Sequence, residues 1–128
     1  MRAVRFLSCL ATLAGVPALA GSPEGIWETQ PDRKGGFAHI RAYSCGDSIC
    51  GTVLKAFNQE GLEIRTPNVG KQVFWDMKQE SDGSYTGRAW VPAFKREYTG
   101  RMQLQGDRLK VGGCSGPICM SQSWKRVK

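Results

Sequence analysis

Lys71-Gln72-Val73-Phe74-Trp75-Asp76-Met77-Lys78 is followed by Ser81-Asp82-Gly83-Ser84, then by Tyr85-Thr86-Gly87-Arg88-Ala89-Trp90-Val91 and Pro92. The first run is apolar at alternate positions, and alternation predicts a strand with Val73, Trp75 and Met77 on one face. The Ser-Asp-Gly-Ser segment has turn chemistry, because Asp and Ser hydrogen-bond locally and Gly accepts positive φ. The third run, rich in aromatic and β-branched residues, reads as a second strand stopped by proline. The two runs therefore predict an antiparallel hairpin.

The same punctuation recurs outward in both directions. Upstream, Gly25 to Gln30 reads as a strand stopped at Pro31-Asp32 and Gly35-Gly36. Phe37 to Tyr43 and residues 49–57 read as two more, and 58–71 as a polar loop. Downstream, Arg96 to Leu104 is closed by Gly106-Asp107, Leu109 and Val111 mark another strand, and Met120 to Val127 the last. No window carries a convincing helical period, although 92–96 could hold one helical turn. The fold expected is all-β: a single small antiparallel eight-stranded up-and-down barrel, closed so that no edge is exposed. A two-sheet sandwich is the alternative. Eight strands leave room for packed side chains or one small ligand.

Residues 1–20, MRAVRFLSCLATLAGVPALA, have the layout of a signal peptide. Arg2 and Arg5 precede an apolar run from Phe6 to Val16, and Ala18-Leu19-Ala20 supplies a small-x-small cleavage site. The run is too short to span a bilayer, and Cys9 has too little apolar sequence before it for a lipoprotein site. The expected domain is 21–128, with no transmembrane segment, in the periplasm or secreted. Its formal charge is 16 − 11 = +5 once Arg2 and Arg5 are removed from the 18 basic residues. The remaining basic residues are dispersed among acids, which reads as solvated strand faces rather than a nucleic-acid interface.

Four cysteines remain, in Cys45-Gly-Asp-Ser-Ile-Cys50 and Cys114-Ser-Gly-Pro-Ile-Cys119. An even count in an exported chain implies disulfides. Zinc ligands favour tighter spacing, and a redox dithiol would read C-x-x-C. Loop entropy alone would favour cross-pairing, at ~4 against ~2 kcal/mol. Both segments nevertheless look like hairpin ends, so the pairs expected are Cys45–Cys50 and Cys114–Cys119.

Gly25-x-Trp27 near the start and Trp124-Lys125-Arg126 at the end resemble the calycin and lipocalin pattern. That resemblance implies that Trp27 closes one end of the barrel beneath Arg126. The wider set is Gly25 and Trp27, Cys45 and Cys50-Gly51, Gly87-Arg88-Ala89-Trp90 with Tyr98, Leu109-x-Val111-x-Gly113-Cys114, and Cys119 with Trp124 and Arg126. It resembles the bacterial exported family called domain of unknown function 2147 over nearly all of 21–128. The resemblance implies a lipocalin-like barrel that binds a small apolar molecule, and it carries no catalytic residues. The chain departs from the family between Arg65 and Lys71, where a longer Asn-Pro and Arg-rich segment is expected.

Enzyme chemistry finds no foothold. His39 is the sole histidine, no Gly-x-Ser-x-Gly occurs, and no spacing pairs two carboxylates. No catalytic residue, metal or cofactor is expected. The function expected is non-enzymatic binding of a small apolar or amphipathic ligand. Trp75, Tyr85, Trp90, Phe94 and Tyr98 would line its site, and Arg88 would meet an anionic head. The alternative is an envelope protein- or polymer-binding module whose barrel is packed solid.

Overall fold

The computed structural model describes residues 21–128, so the expected leader and Cys9 lie outside the described residues. The strands are β1 (Gly25–Glu28), β2 (Phe37–Cys45), β3 (Ser48–Phe57), β4 (Glu63–Ile64), β5 (Gln72–Gln79), β6 (Tyr85–Val91), β7 (Arg96–Gln105), β8 (Arg108–Ser115) and β9 (Ile118–Arg126). Every pairing is antiparallel. Apart from β4, each strand has a partner on both sides, and β1 pairs with both β2 and β9. Eight strands therefore close into the expected barrel. The two-residue β4 pairs only with β3, through Ala56↔Ile64 and Phe57↔Glu63. It falls inside the stretch expected to be loop, and is too short to show alternation. Residues 92–95 form a turn rather than a helix, with the Lys95 amide donating to the Val91 carbonyl at 2.8 Å.

Alternating directions sort the connections to two ends. The β2–β3, β5–β6 and β7–β8 turns lie beside Gly25 and Arg126. The β1–β2 loop, the β3–β5 connection carrying β4, and the β6–β7 and β8–β9 turns lie at the other end. One disulfide staples each end. Cys45–Cys50 spans the β2–β3 turn and Cys114–Cys119 the β8–β9 turn, with Cα–Cα distances of 6.0 and 4.0 Å. Both are the local pairs.

The hairpin that decides the fold contains one surprise. Val73, Trp75 and Met77 do not share a face. Phe74 and Met77 are both fully buried, whereas Trp75 pairs with Arg88 and is only half-buried. The cause is a β-bulge at Asp76, whose φ is +53°. An extra residue reverses the alternation beyond it. Gly87 makes the bulge possible: a Cβ there would lie 2.5 Å from the Asp76 carbonyl oxygen and 2.6 Å from that of Trp75.

The core occupies the half of the barrel near Gly25 and Arg126. Trp27, Met77, Met102 and Leu109 are fully buried there, and Phe74 and Trp124 cap them at 6.2 Å between ring centroids. Gly87, Gly100 and Gly113 lie side by side across β6, β7 and β8 at mid-barrel. The Met77 side chain packs over the middle glycine, its Cε 2.6 Å from where a Gly100 Cβ would be.

Candidate functional site: a half-hollow barrel

The other half is not filled. Its inward positions include Ala38, Ala56, Ala89 and Gly113, with Ile40, Val53 and Val111 the larger among them. Small side chains across a fixed barrel diameter leave space. The result is a cavity of about 680 Å3, within the ordinary range for a small-molecule site. Phe74 and Trp124 form its floor, and Met120 and Trp90 border it.

The mouth is polar and held by its own hydrogen bonds. In the β1–β2 loop the Asp32 carboxylate accepts from the Lys34 and Gly36 amides at 2.8 and 2.9 Å. Thr29 Oγ1 accepts from the Ala38 amide. Across the mouth, Asn58 Oδ1 accepts from the Glu60 and Leu62 amides. The segment before β5 is tied to β3, as the Gly70 amide donates to the Val53 carbonyl and the Val53 amide to that of Lys71. This places the Lys71 ammonium 4.9 Å from the centroid of the Trp90 ring. A cation there is attracted by the ring face and remains exposed to meet an anion.

The residues expected to line the site divide. Trp90 borders the cavity. Trp75 and Arg88 do not, because they form an outward cross-strand pair next to the inward pair Phe74 and Ala89. Arg88 is also engaged: Nε donates to Glu97 at 3.0 Å and Nη1 to Thr99 at 3.1 Å. Phe94 stands 57% exposed in the β6–β7 turn. Tyr98 is buried on the inward row of β7 but does not form the cavity wall. Tyr85 borders a smaller pocket of about 270 Å3 near the β2–β3 and β5–β6 turns. Burial pushes its phenol above the usual value, and Glu24 adds to the shift. Of the five aromatic residues expected at the site only Trp90 borders the cavity; its other aromatic lining is Phe37, Phe57, Phe74 and Trp124, and small residues such as Ala38, Ala56 and Gly113 complete the wall.

His39 joins a different arrangement, on the outer wall. Its Nε2 lies 3.1 Å from Glu28 Oε1, and Lys125 reaches the other oxygen at 3.7 Å. Its ring packs on Phe57, which stacks on Phe37 at 4.9 Å between centroids.

The far end is shut by Trp27 and Arg126. The Arg126 guanidinium carbon sits 4.4 Å from the centroid of the Trp27 ring. Its Nη1 and Nη2 donate to the Glu24 and Ser22 carbonyls at 2.9 and 3.1 Å, strapping the incoming chain across the barrel. The indole Nε1 donates to the Pro23 carbonyl at 2.8 Å. Gly25 is obligatory: its φ is +135°, and a Cβ would lie 2.6 Å from the Lys128 carbonyl oxygen.

Comparison with known proteins agrees with this geometry. The model of a family described as uncharacterized proteins conserved in bacteria, DUF2147, matches residues 25–126. The chain belongs to that family. Among solved structures it is similar to protein HP1028 of Helicobacter pylori, described as belonging to the lipocalin family. The TM-score is 0.66 at 14% identity, over 84% of each chain. At that identity the likeness is one of fold. No curated protein matches. A bacterial family and two disulfides fit an extracytoplasmic protein. The DUF2147 barrel seen here is therefore lipocalin-like, with one end plugged and one hollow.

Proposed function

We propose that this DUF2147 protein is an exported, non-enzymatic binding protein that takes one small apolar or amphipathic ligand into its barrel. The observation that carries this reading is the apolar 680 Å3 cavity above the Phe74 and Trp124 floor. The half-filled interior favours this reading over a solid-packed barrel that presents an outer surface. In this reading Trp90 and Trp124 contact the ligand's apolar part, and Lys71 and Lys34 at the mouth replace Arg88 as partners for an anionic head. Trp75 and Phe94 contribute nothing to the cavity site.

Binding would come mainly from burying hydrocarbon, at about 0.8 kcal/mol per methylene. Affinity for a saturated fatty-acid series should therefore rise about fourfold per added carbon, then stop rising once the chain exceeds the cavity. Intrinsic tryptophan fluorescence reports it, since Trp90 and Trp124 border the cavity. The cavity-filling variant Val111→Phe should lose the response while remaining folded. A flat response across the whole series, with apolar probes equally unbound, would remove the basis for this function.

A further inference from the structure

The two ends of the barrel differ in charge as well as packing. The connecting segments at the hollow end hold five basic residues, Arg33, Lys34, Arg65, Lys71 and Lys95, against Asp32, Glu60 and Glu63. The segments at the plugged end hold Glu24, Asp47, Glu80, Asp82 and Asp107 with Lys128, and three of these acids are paired with strand bases, Asp47 with Lys78, Asp82 with Arg101 and Asp107 with Arg126. All five bases are exposed, and Asp32 is already occupied by two loop amides. The excess of exposed bases around the mouth favours approach of the hollow end to an anionic surface.

The exposed large apolar side chains follow the same division. Leu62, Ile64, Val69, Phe94 and Ile118 stand around the mouth, Leu54 lies within β3, and Val127 is at the plugged end. Phe94 is 57%, Leu62 64% and Ile118 68% exposed. They come from three separate connections, so no single loop accounts for them. Phe94 is followed by Lys95, held at the turn with φ +49°, which places an apolar tip and a cation side by side.

We propose that the hollow end docks on an anionic phospholipid bilayer. The basic residues approach the headgroups, and Phe94, Leu62 and Ile118 enter the boundary with the acyl chains. Charge complementarity explains the bases, and insertion explains apolar tips that a purely ionic partner would leave in water. Docked in this way, the cavity mouth faces lipid, so an apolar ligand passes between membrane and cavity without crossing bulk water. The docking itself does not require an occupied cavity.

The test is sedimentation of the full chain with vesicles of phosphatidylglycerol and phosphatidylcholine in equal parts, against phosphatidylcholine alone. Wild type and variants carry the same N-terminus, so any contribution of residues 1–20 cancels. Binding should require the anionic lipid and weaken with salt. Lys95→Ala and Arg65→Ala should each weaken it about fivefold. Phe94→Ser combined with Ile118→Ser should weaken it at least about tenfold. Val127→Ser should change nothing, and circular dichroism should show each variant folded. Equal binding to both vesicle types overturns the proposal, as does a Val127→Ser effect as large as that of the Phe94/Ile118 pair. Binding to dextran sulfate that depends on Lys95 but not on Phe94 and Ile118, with no vesicle binding, assigns the surface to a soluble polyanion instead. The fatty-acid titration in solution is a separate readout, so loss of docking with that response intact leaves the cavity function standing.

Discussion

The two ends of this barrel solve opposite problems with the same eight strands. At the plugged end the inward positions carry Trp27, Met77, Met102 and Leu109, all fully buried. A guanidinium laid over an indole then straps the incoming chain across the opening. At the hollow end the inward positions are mostly alanine, valine and glycine, and no side chain spans the gap. Stability is therefore concentrated at one end and binding capacity at the other. Residues at the plugged end should affect unfolding and leave uptake unchanged, and those at the hollow end should do the reverse.

The strongest way to break that division is Trp27→Ala. The side chain is fully buried, bonded to Pro23 and stacked under Arg126. Removal should cost about 3–5 kcal/mol, read as a lower urea midpoint, and a loss under about 1 kcal/mol would show that the plug is not where stability resides. Arg126→Ala should cost less. Its cation–π contact is worth roughly 1–2 kcal/mol, and the Ser22 and Glu24 carbonyls it leaves can turn to water. Val111→Phe provides the converse. The cavity gives the larger ring somewhere to go, so the stability change should stay within about 1.5 kcal/mol while fatty-acid binding disappears.

The disulfides sharpen the comparison, because one staples each end over the same sequence separation. Each closes a short loop and should contribute about 2 kcal/mol. Replacing Cys45 and Cys50 by serine, or Cys114 and Cys119 by serine, should therefore lower the melting temperature by similar amounts. Only the second pair flanks the mouth, where Met120 and Ser121 border the cavity, so only its loss should speed ligand release in stopped-flow displacement.

Much of this architecture was legible in the residues. Strand after strand is apolar at intervals and ended by Gly, Pro or Asp, and closure follows from the number of short strands. The local disulfides were legible because each pair brackets a turn. Gly25, Trp27 and Arg126 were legible only through resemblance, since their contact joins opposite ends of the chain. What escaped was local geometry with a non-local cause. Nothing within Val73–Met77 announces a bulge at Asp76; the required absence of a Cβ is at Gly87, on the neighbouring strand. That single displacement parts Met77 from the face of Trp75, which lies outward opposite Arg88. The cavity escaped for a different reason. Large aromatic residues draw attention, but they fill space, and a void is recorded by small residues at inward positions whose facing is unknown until register is known. Ala38, Ala56, Ala89 and Gly113 were its visible trace.

The plugged end also contains the smallest effect expected, and it tests whether its acids are structural. Asp82 caps the β5–β6 turn. Its Oδ1 accepts from the Ser84 hydroxyl at 2.6 Å and the Ser84 amide at 2.9 Å, and Arg101 lies 3.3 Å from Oδ2. The hydrogen bonds from Ser84, with a smaller contribution from Arg101, hold its carboxyl below the ordinary value of 3.8. A carboxyl depressed in the folded state stabilises it above the unfolded pKa, and that contribution fades as pH falls through the folded value. Asp82→Asn should therefore melt slightly below wild type at neutral pH, and the two curves should converge only in acid below about pH 4. The carboxylate is largely exposed, so the separation should be small and shrink in salt. If the difference is instead the same at every pH, the turn depends on side-chain shape and amide acceptance rather than on the charge of Asp82.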